Sequence, residues 1–86
     1  MAGYSVRITK TAEKQIDGLS DALRRAVVGA IQALPLDPRP RGCRKLAGHS
    51  DVFRIRVGRY RILYEVYDDV LVVLILKVGH RKDVYR

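Results

Sequence analysis

The 86-residue chain contains one cysteine, no tryptophan, one phenylalanine and one methionine. The lone thiol of Cys43 excludes an intramolecular disulfide and a cysteine-based metal cluster, so no crosslink staples the fold and a reducing compartment suits it. With so few large aromatics, the expected core is aliphatic with tyrosines at its edges. Negative charge is scarce too: nine Asp and Glu stand against seventeen Lys and Arg, a formal net charge of +8. Long apolar runs are missing. "VLVVLILKV" (70–78) falls well short of the roughly 20 residues a membrane-spanning helix needs, and the opening "MAGYSVRITK" carries no signal-like stretch. The expected location is the cytoplasm, without membrane attachment.

What is present is enough for one domain over residues 1–86 with a modest core. Hydrophobic residues make up 48 % of the chain, too many for intrinsic disorder. The excess of positive charge points to a polyanionic partner.

Tyr4, Val6 and Ile8 alternate with Ser5, Arg7 and Thr9, the period of a half-buried strand. Thr11 then offers a helix N-cap, with Ala12, Ile16 and Leu19 behind it at helical spacing. Ser20 opens a second helix, whose apolar face is Leu23, Ala26, Val27, Ala30, Ile31 and Leu34, and Pro35 stops it. "PLDPRPRG" (35–42) reads as an ordered loop. From Arg44 onward the pattern becomes that of strands. Phe53, Ile55 and Val57 point one way and Arg54 and Arg56 the other. Gly58 and Arg59 have the length of a two-residue hairpin loop, and Tyr60, Ile62, Tyr64 and Val66 carry the apolar face onward. Asp68 and Asp69 mark a turn. Val70–Val78 reads as a strand buried on both faces at the sheet centre and ended by Gly79. The order β-α-α-β-β-β is an α+β pattern, with two N-terminal helices packed on one face of a small, mainly antiparallel sheet.

The stretch "RIRVGRYR" (54–61) holds four arginines in eight residues. With Gly58 and Arg59 as the loop, Arg56 faces Arg61 across the hairpin, and the Arg61 side chain is expected to be exposed on the basic face. Directly opposed like charges destabilise a strand pair by a few tenths of a kcal/mol. Folding does not require that cost, and an anion held between the guanidinium groups reverses its sign. Residues 39–61 contain eight Lys or Arg and a single acid, Asp51. The last segment, "GHRKDVYR" (79–86), adds His80, Arg81, Lys82, Tyr85 and Arg86 at the same end of the sheet. Arginine forks match phosphate geometry, while Tyr85 and His80 can exchange a proton. A basic face with those two groups and no acidic ligand cluster points to metal-free chemistry on RNA, whose 2′-hydroxyl is a built-in nucleophile. No cofactor is expected.

"KLAGHSDVFRIRVGRYRILYEV" and "VLVVLILKVGHRKDVYR", together with the strand-helix-helix opening, resemble the RelE toxins of bacterial toxin–antitoxin systems over essentially the whole chain. The most specific pieces are "GRYRILYEV" and "VGHRKDVYR", in order and at family-like spacing. The resemblance implies a RelE-like fold and a ribosome-dependent endoribonuclease that cuts mRNA in the decoding site, leaving a 2′,3′-cyclic phosphate or 3′-phosphate and a free 5′-hydroxyl. It also implies roles. Arg61 stabilises the transition state, Arg81 acts at the scissile phosphate on the leaving-group side, and Tyr85 is the general base. His80 stands nearby as a second proton-transfer candidate. Arg54 and Arg56 take positions that are lysines in the best-known members, where an arginine can bind charge but cannot act as a base. Arg44, Lys45 and Lys82 complete the expected RNA-binding set, and Ala47 stands where another arginine is frequent. The implied partners are the ribosome, mRNA and a RelB-like antitoxin whose acidic segment wraps the basic face, the complex binding operator DNA through the antitoxin. ParE-like toxins are the alternative: they share the fold but inhibit DNA gyrase without nucleolysis, and generally lack the terminal tyrosine and the basic pair. Plainer roles fit the remaining residues: Tyr60 and Tyr64 as core-edge packing, Cys43 as inert, His49 as a loop residue and Glu65 as remote from Arg61.

Overall fold

The computed structural model describes residues 3–46, 48 and 51–82. Along them run β1 (Ser5–Ile8), α1 (Lys10–Asp17), α2 (Asp21–Ala33), β2 (Arg44–Lys45), β3 (Val52–Val57), β4 (Tyr60–Tyr67) and β5 (Val72–His80). The strands form one sheet in the order β1-β5-β4-β3-β2. All neighbours are antiparallel except β1, which pairs in parallel with β5. This is the expected α+β arrangement, with one addition. The two-residue strand β2 starts at Arg44, where the strand pattern begins, but it is a separate strand that the order β-α-α-β-β-β does not count, and it pairs with β3 at the sheet edge.

Both helices pack on the same side of the sheet. Ala12 and Ile16 of α1 and Val27, Ile31 and Leu34 of α2 join Ile55, Ile62, Tyr64, Val66, Val73, Ile75 and Val78 in one buried cluster. Ser20 caps α2 as its sequence predicts, its hydroxyl accepting the Leu23 N–H. For α1 the cap is Thr9 and not Thr11. Thr9 keeps an extended backbone, and its Oγ1 accepts the Ala12 N–H at 3.1 Å. The same hydroxyl donates to the Leu76 carbonyl at 2.9 Å, a tertiary contact that decides the choice of cap.

The last strand departs from expectation at both ends. Val70 and Leu71 belong to the turn, and Leu71 takes a left-handed φ of 54°, held there by the Ser5 N–H on its carbonyl at 2.8 Å. Gly79 does not end the strand, since Tyr60 still pairs with His80 beyond it. The central strand is β4, with β5 beside it. Leu74 and Leu76 are only half-buried, so β5 is not covered on both faces. Between Leu63 and Tyr64 the register with β5 shifts by one residue. Leu63 faces Lys77 but Tyr64 faces Ile75, which leaves Leu76 as the extra residue of a β-bulge.

The Pro-rich loop is tied down by side chains. Arg39 grips Asp68 with both guanidinium nitrogens, at 3.2 and 2.8 Å. The Tyr4 hydroxyl donates to the same carboxylate, and the Arg39 guanidinium lies 5.1 Å from the Phe53 ring centroid. Beneath them the buried Tyr64 donates its hydroxyl to the Pro38 carbonyl at 2.8 Å, and burial raises its pKa. The hydrogen bonds from Arg39, then that from Tyr4, hold the Asp68 carboxyl below its usual range. Tyr4 is raised in turn by its bond to Asp68. A depressed folded value means the clamp contributes fully above the unfolded carboxylate value and is lost as pH falls through the folded one. Melting temperature should therefore fall more steeply between about pH 5 and pH 2 in the wild type than in Asp68→Asn. Thermal melts across that window check it, and equal slopes would remove the clamp from the stability of the fold.

Candidate anion-binding site

A two-residue hairpin loop fixes which side chains meet. Gly58 takes a φ of 59°, the conformation such a loop requires and that glycine adopts without steric cost. The flanking strands then pair Val57 with Tyr60 and Arg56 with Arg61, the register read from the sequence. Ile62, Tyr64 and Val66 belong to the helix-covered side, so Arg61 projects from the opposite face. Directly opposed residues share a face, which places Arg44, paired with Arg54, on that side as well.

Arg44, Arg54, Arg56 and Arg61 converge with Gly42 around a cavity of about 310 Å³. Gly42 was not anticipated. Its signal was its place at the end of the "PRPRG" loop, where it has a left-handed φ of 90°. The loop that the Arg39–Asp68 clamp holds thus forms one wall of the arginine cavity.

Arg61 corrects an expectation. Its side chain was expected on an exposed basic surface, yet it is 8 % exposed, the one buried charged residue among those described. The reason is its place on the central strand, between Arg56 on β3 and Gly79 on β5. Its guanidinium makes a long hydrogen bond, 3.5 Å, to the Tyr60 carbonyl. A cation buried beside like charge is costly, and a ligand that supplies negative charge removes the cost.

The other candidates are distributed differently. Lys45 pairs with Phe53 and so lies on the helix side, away from Arg44. His80 pairs with Tyr60, and their rings meet edge-on with centroids 5.7 Å apart. It therefore stands on the face opposite Arg61, with Nδ1 accepting the Lys82 N–H at 3.3 Å. Arg81 is exposed and tied through its backbone N–H to the Arg59 carbonyl at 3.0 Å. Lys82 is exposed beside it. None of His80, Arg81 and Lys82 lines the arginine cavity. Tyr85, Arg86, Ala47 and His49 lie outside the described residues. Among the described residues, no group of three or more His, Cys, Asp or Glu could hold a metal ion, and no helix is long and apolar enough to cross a membrane.

Comparison with known proteins places this geometry among relatives. Residues 6–85 match the family model described as the ParE toxin of type II toxin–antitoxin systems. The chain is 39 % identical to Toxin RelG of Mycobacterium tuberculosis, over 96 % of its own length and 97 % of that protein. Among solved structures, the RelE–RelB complex of Pyrococcus horikoshii superposes with a TM-score of 0.83 at 32 % identity, over 95 % of this chain and 99 % of that one. The RelBE2 toxin–antitoxin complex of Mycobacterium tuberculosis gives a TM-score of 0.80 at 34 % identity, over 92 % and 99 %.

An anion that binds only the folded arginine cavity must stabilise the fold by mass action. Inorganic phosphate at ten times its dissociation constant should contribute about 1.4 kcal/mol, a rise of several degrees in melting temperature for a domain of this size. Arg61→Met should lose most of that rise and Arg25→Met, on the exposed side of α2, should keep it. Differential scanning calorimetry at constant ionic strength makes the comparison, and equal responses would mean that the stabilisation is nonspecific.

Proposed function

Because the chain belongs to the RelE/ParE superfamily of type II toxin–antitoxin toxins, we propose that it acts as RelE-type toxins do, as a ribosome-dependent endoribonuclease that cuts mRNA in the decoding site. The observation that carries the reading is the convergence of four arginines on one cavity with Arg61 buried at its base. Transition-state stabilisation in phosphoryl transfer needs permanent donors fixed where charge develops, and the sheet supplies them on rigid strands.

In the proposed reaction the 2′-hydroxyl oxygen attacks the adjacent phosphorus as a base removes its proton. The P–O5′ bond breaks, leaving a 2′,3′-cyclic phosphate, and the 5′-oxygen takes a proton from water to leave as a free hydroxyl. Arg61 and Arg56 stabilise the extra negative charge at phosphorus, and Arg44 and Arg54 hold the backbone. Arg81, anchored to the hairpin loop through Arg59, serves the leaving-group side. Tyr85 takes the 2′-hydroxyl proton. His80 faces Tyr60 and its Nδ1 is engaged by Lys82, which supports Tyr85 over His80 as the base. The arginine set needs no metal ion for this charge stabilisation. The ribosome supplies the orientation that a shallow face on a small domain lacks. A RelB-like antitoxin with an acidic segment covers the basic face, and the complex binds operator DNA through the antitoxin. The cytoplasm is where all of these partners meet.

A second reading is kept alive by the matched family description, which is that of ParE: inhibition of DNA gyrase without cleavage. Induced expression separates the two. Primer extension should show cut mRNA ends in arrested cells, whereas double-strand DNA breaks with intact mRNA would establish the gyrase reading.

On ribosomes, Arg61→Ala and Arg81→Ala should each abolish cleavage, while Tyr85→Phe should slow the single-turnover rate by about 10²–10⁴-fold, the usual share of acid–base catalysis. His80→Gln should cost less. A larger loss from His80→Gln than from Tyr85→Phe would reverse the assignment of the base.

A further inference from the structure

The register of β5 against β4 changes at the Leu76 bulge, and the change decides what stands beside Arg61. Above the bulge Tyr64 faces Ile75; below it Ile62 faces Val78 and Arg61 faces Gly79. Continuing the upper register without the extra residue would pair Ile62 with Lys77 and Arg61 with Val78. A one-residue slip moves every side chain to the other face. Lysine would then enter the helix-covered core, and an isopropyl group would stand opposite Arg61 where glycine now brings no side chain. The bulge thus places a residue without a side chain opposite Arg61 and sets the point where β5 delivers Arg81.

Two polar side chains of the α1 segment meet the backbone at this bulge. Thr9 Oγ1 donates to the Leu76 carbonyl at 2.9 Å, and Gln15 Oε1 accepts the Val78 N–H at 2.7 Å. They take up an acceptor on the bulge residue itself and a donor two residues beyond it, from the side of the sheet opposite the arginines. Resting on the proposed reading of the site, we infer that Thr9 and Gln15 are positioning residues for it: they hold the bulge, and through it the alignment of Arg61 with Gly79 and the placement of Arg81. Neither residue touches the anion cavity.

The test compares Thr9→Val and Gln15→Leu, singly and together, with Thr9→Ser and Gln15→Glu, which retain the hydroxyl and the acceptor. Heteronuclear NMR reads the cross-strand contact between Arg61 and Gly79 and the exchange protection of the Val78 amide. A ribosome assay reads kcat and KM for mRNA cleavage. The apolar variants should lose Val78 protection and weaken the Arg61–Gly79 contact. Their kcat should fall on the order of 10²-fold, the scale of an ångström of misplacement, with KM changed little, and Thr9→Ser and Gln15→Glu should restore it. A variant that stays folded with the contact, the protection and kcat all as in wild type would overturn the inference, as would equal losses in the apolar and conservative variants. If the wild type cuts no mRNA while the apolar variants lose the Arg61–Gly79 contact, the nuclease reading fails and the holding of the register stands.

Discussion

The cross-strand pair Arg56–Arg61 is the constraint on which the rest of this molecule turns. Two arginines stand directly opposite each other on adjacent strands, one of them buried, and a sheet gains nothing from that arrangement by itself. It is fixed from both sides. On the β3 side the hairpin loop at Gly58 admits one register; on the β5 side the Leu76 bulge resets the register so that Gly79 flanks Arg61. The helix-covered core enforces both, because Ile55, Ile62, Tyr64, Ile75 and Val78 must share one face. The repulsion is thus sustained by apolar packing on the far side of the sheet, which gives the basic face its rigidity.

The loop opposite contributes the remaining wall. Arg39 is held by Asp68 and rests on Phe53, and Tyr64 is bonded to Pro38. Gly42 and Arg44 follow directly from that anchored segment into the cavity. One basic residue of the loop therefore serves the fold while its neighbours serve the site, and net charge alone does not separate them.

Most of the hairpin was legible in the sequence, because period-2 alternation and a two-residue Gly-containing loop determine register by local rules. The α+β order was legible for the same reason. The bulge was not, since nothing in "VLVVLILKV" marks Leu76. It depends on Thr9 and Gln15, more than sixty residues away, bonding to the β5 backbone. The same tertiary contact moved the cap of α1 to Thr9. The burial of Arg61 was hidden because exposure depends on neighbours across two strands, and the placement of His80 depended on a register that the bulge had shifted.

The opposed arginines are reconciled by a bound anion, which in the proposed function is an RNA phosphate. A double-mutant cycle on stability tests it most directly, with Arg56→Met, Arg61→Met and the double variant measured in phosphate-free buffer and again with saturating phosphate at equal ionic strength. The coupling between the two arginines should be destabilising without the anion and stabilising with it. A coupling of the same sign and size in both buffers would contradict it.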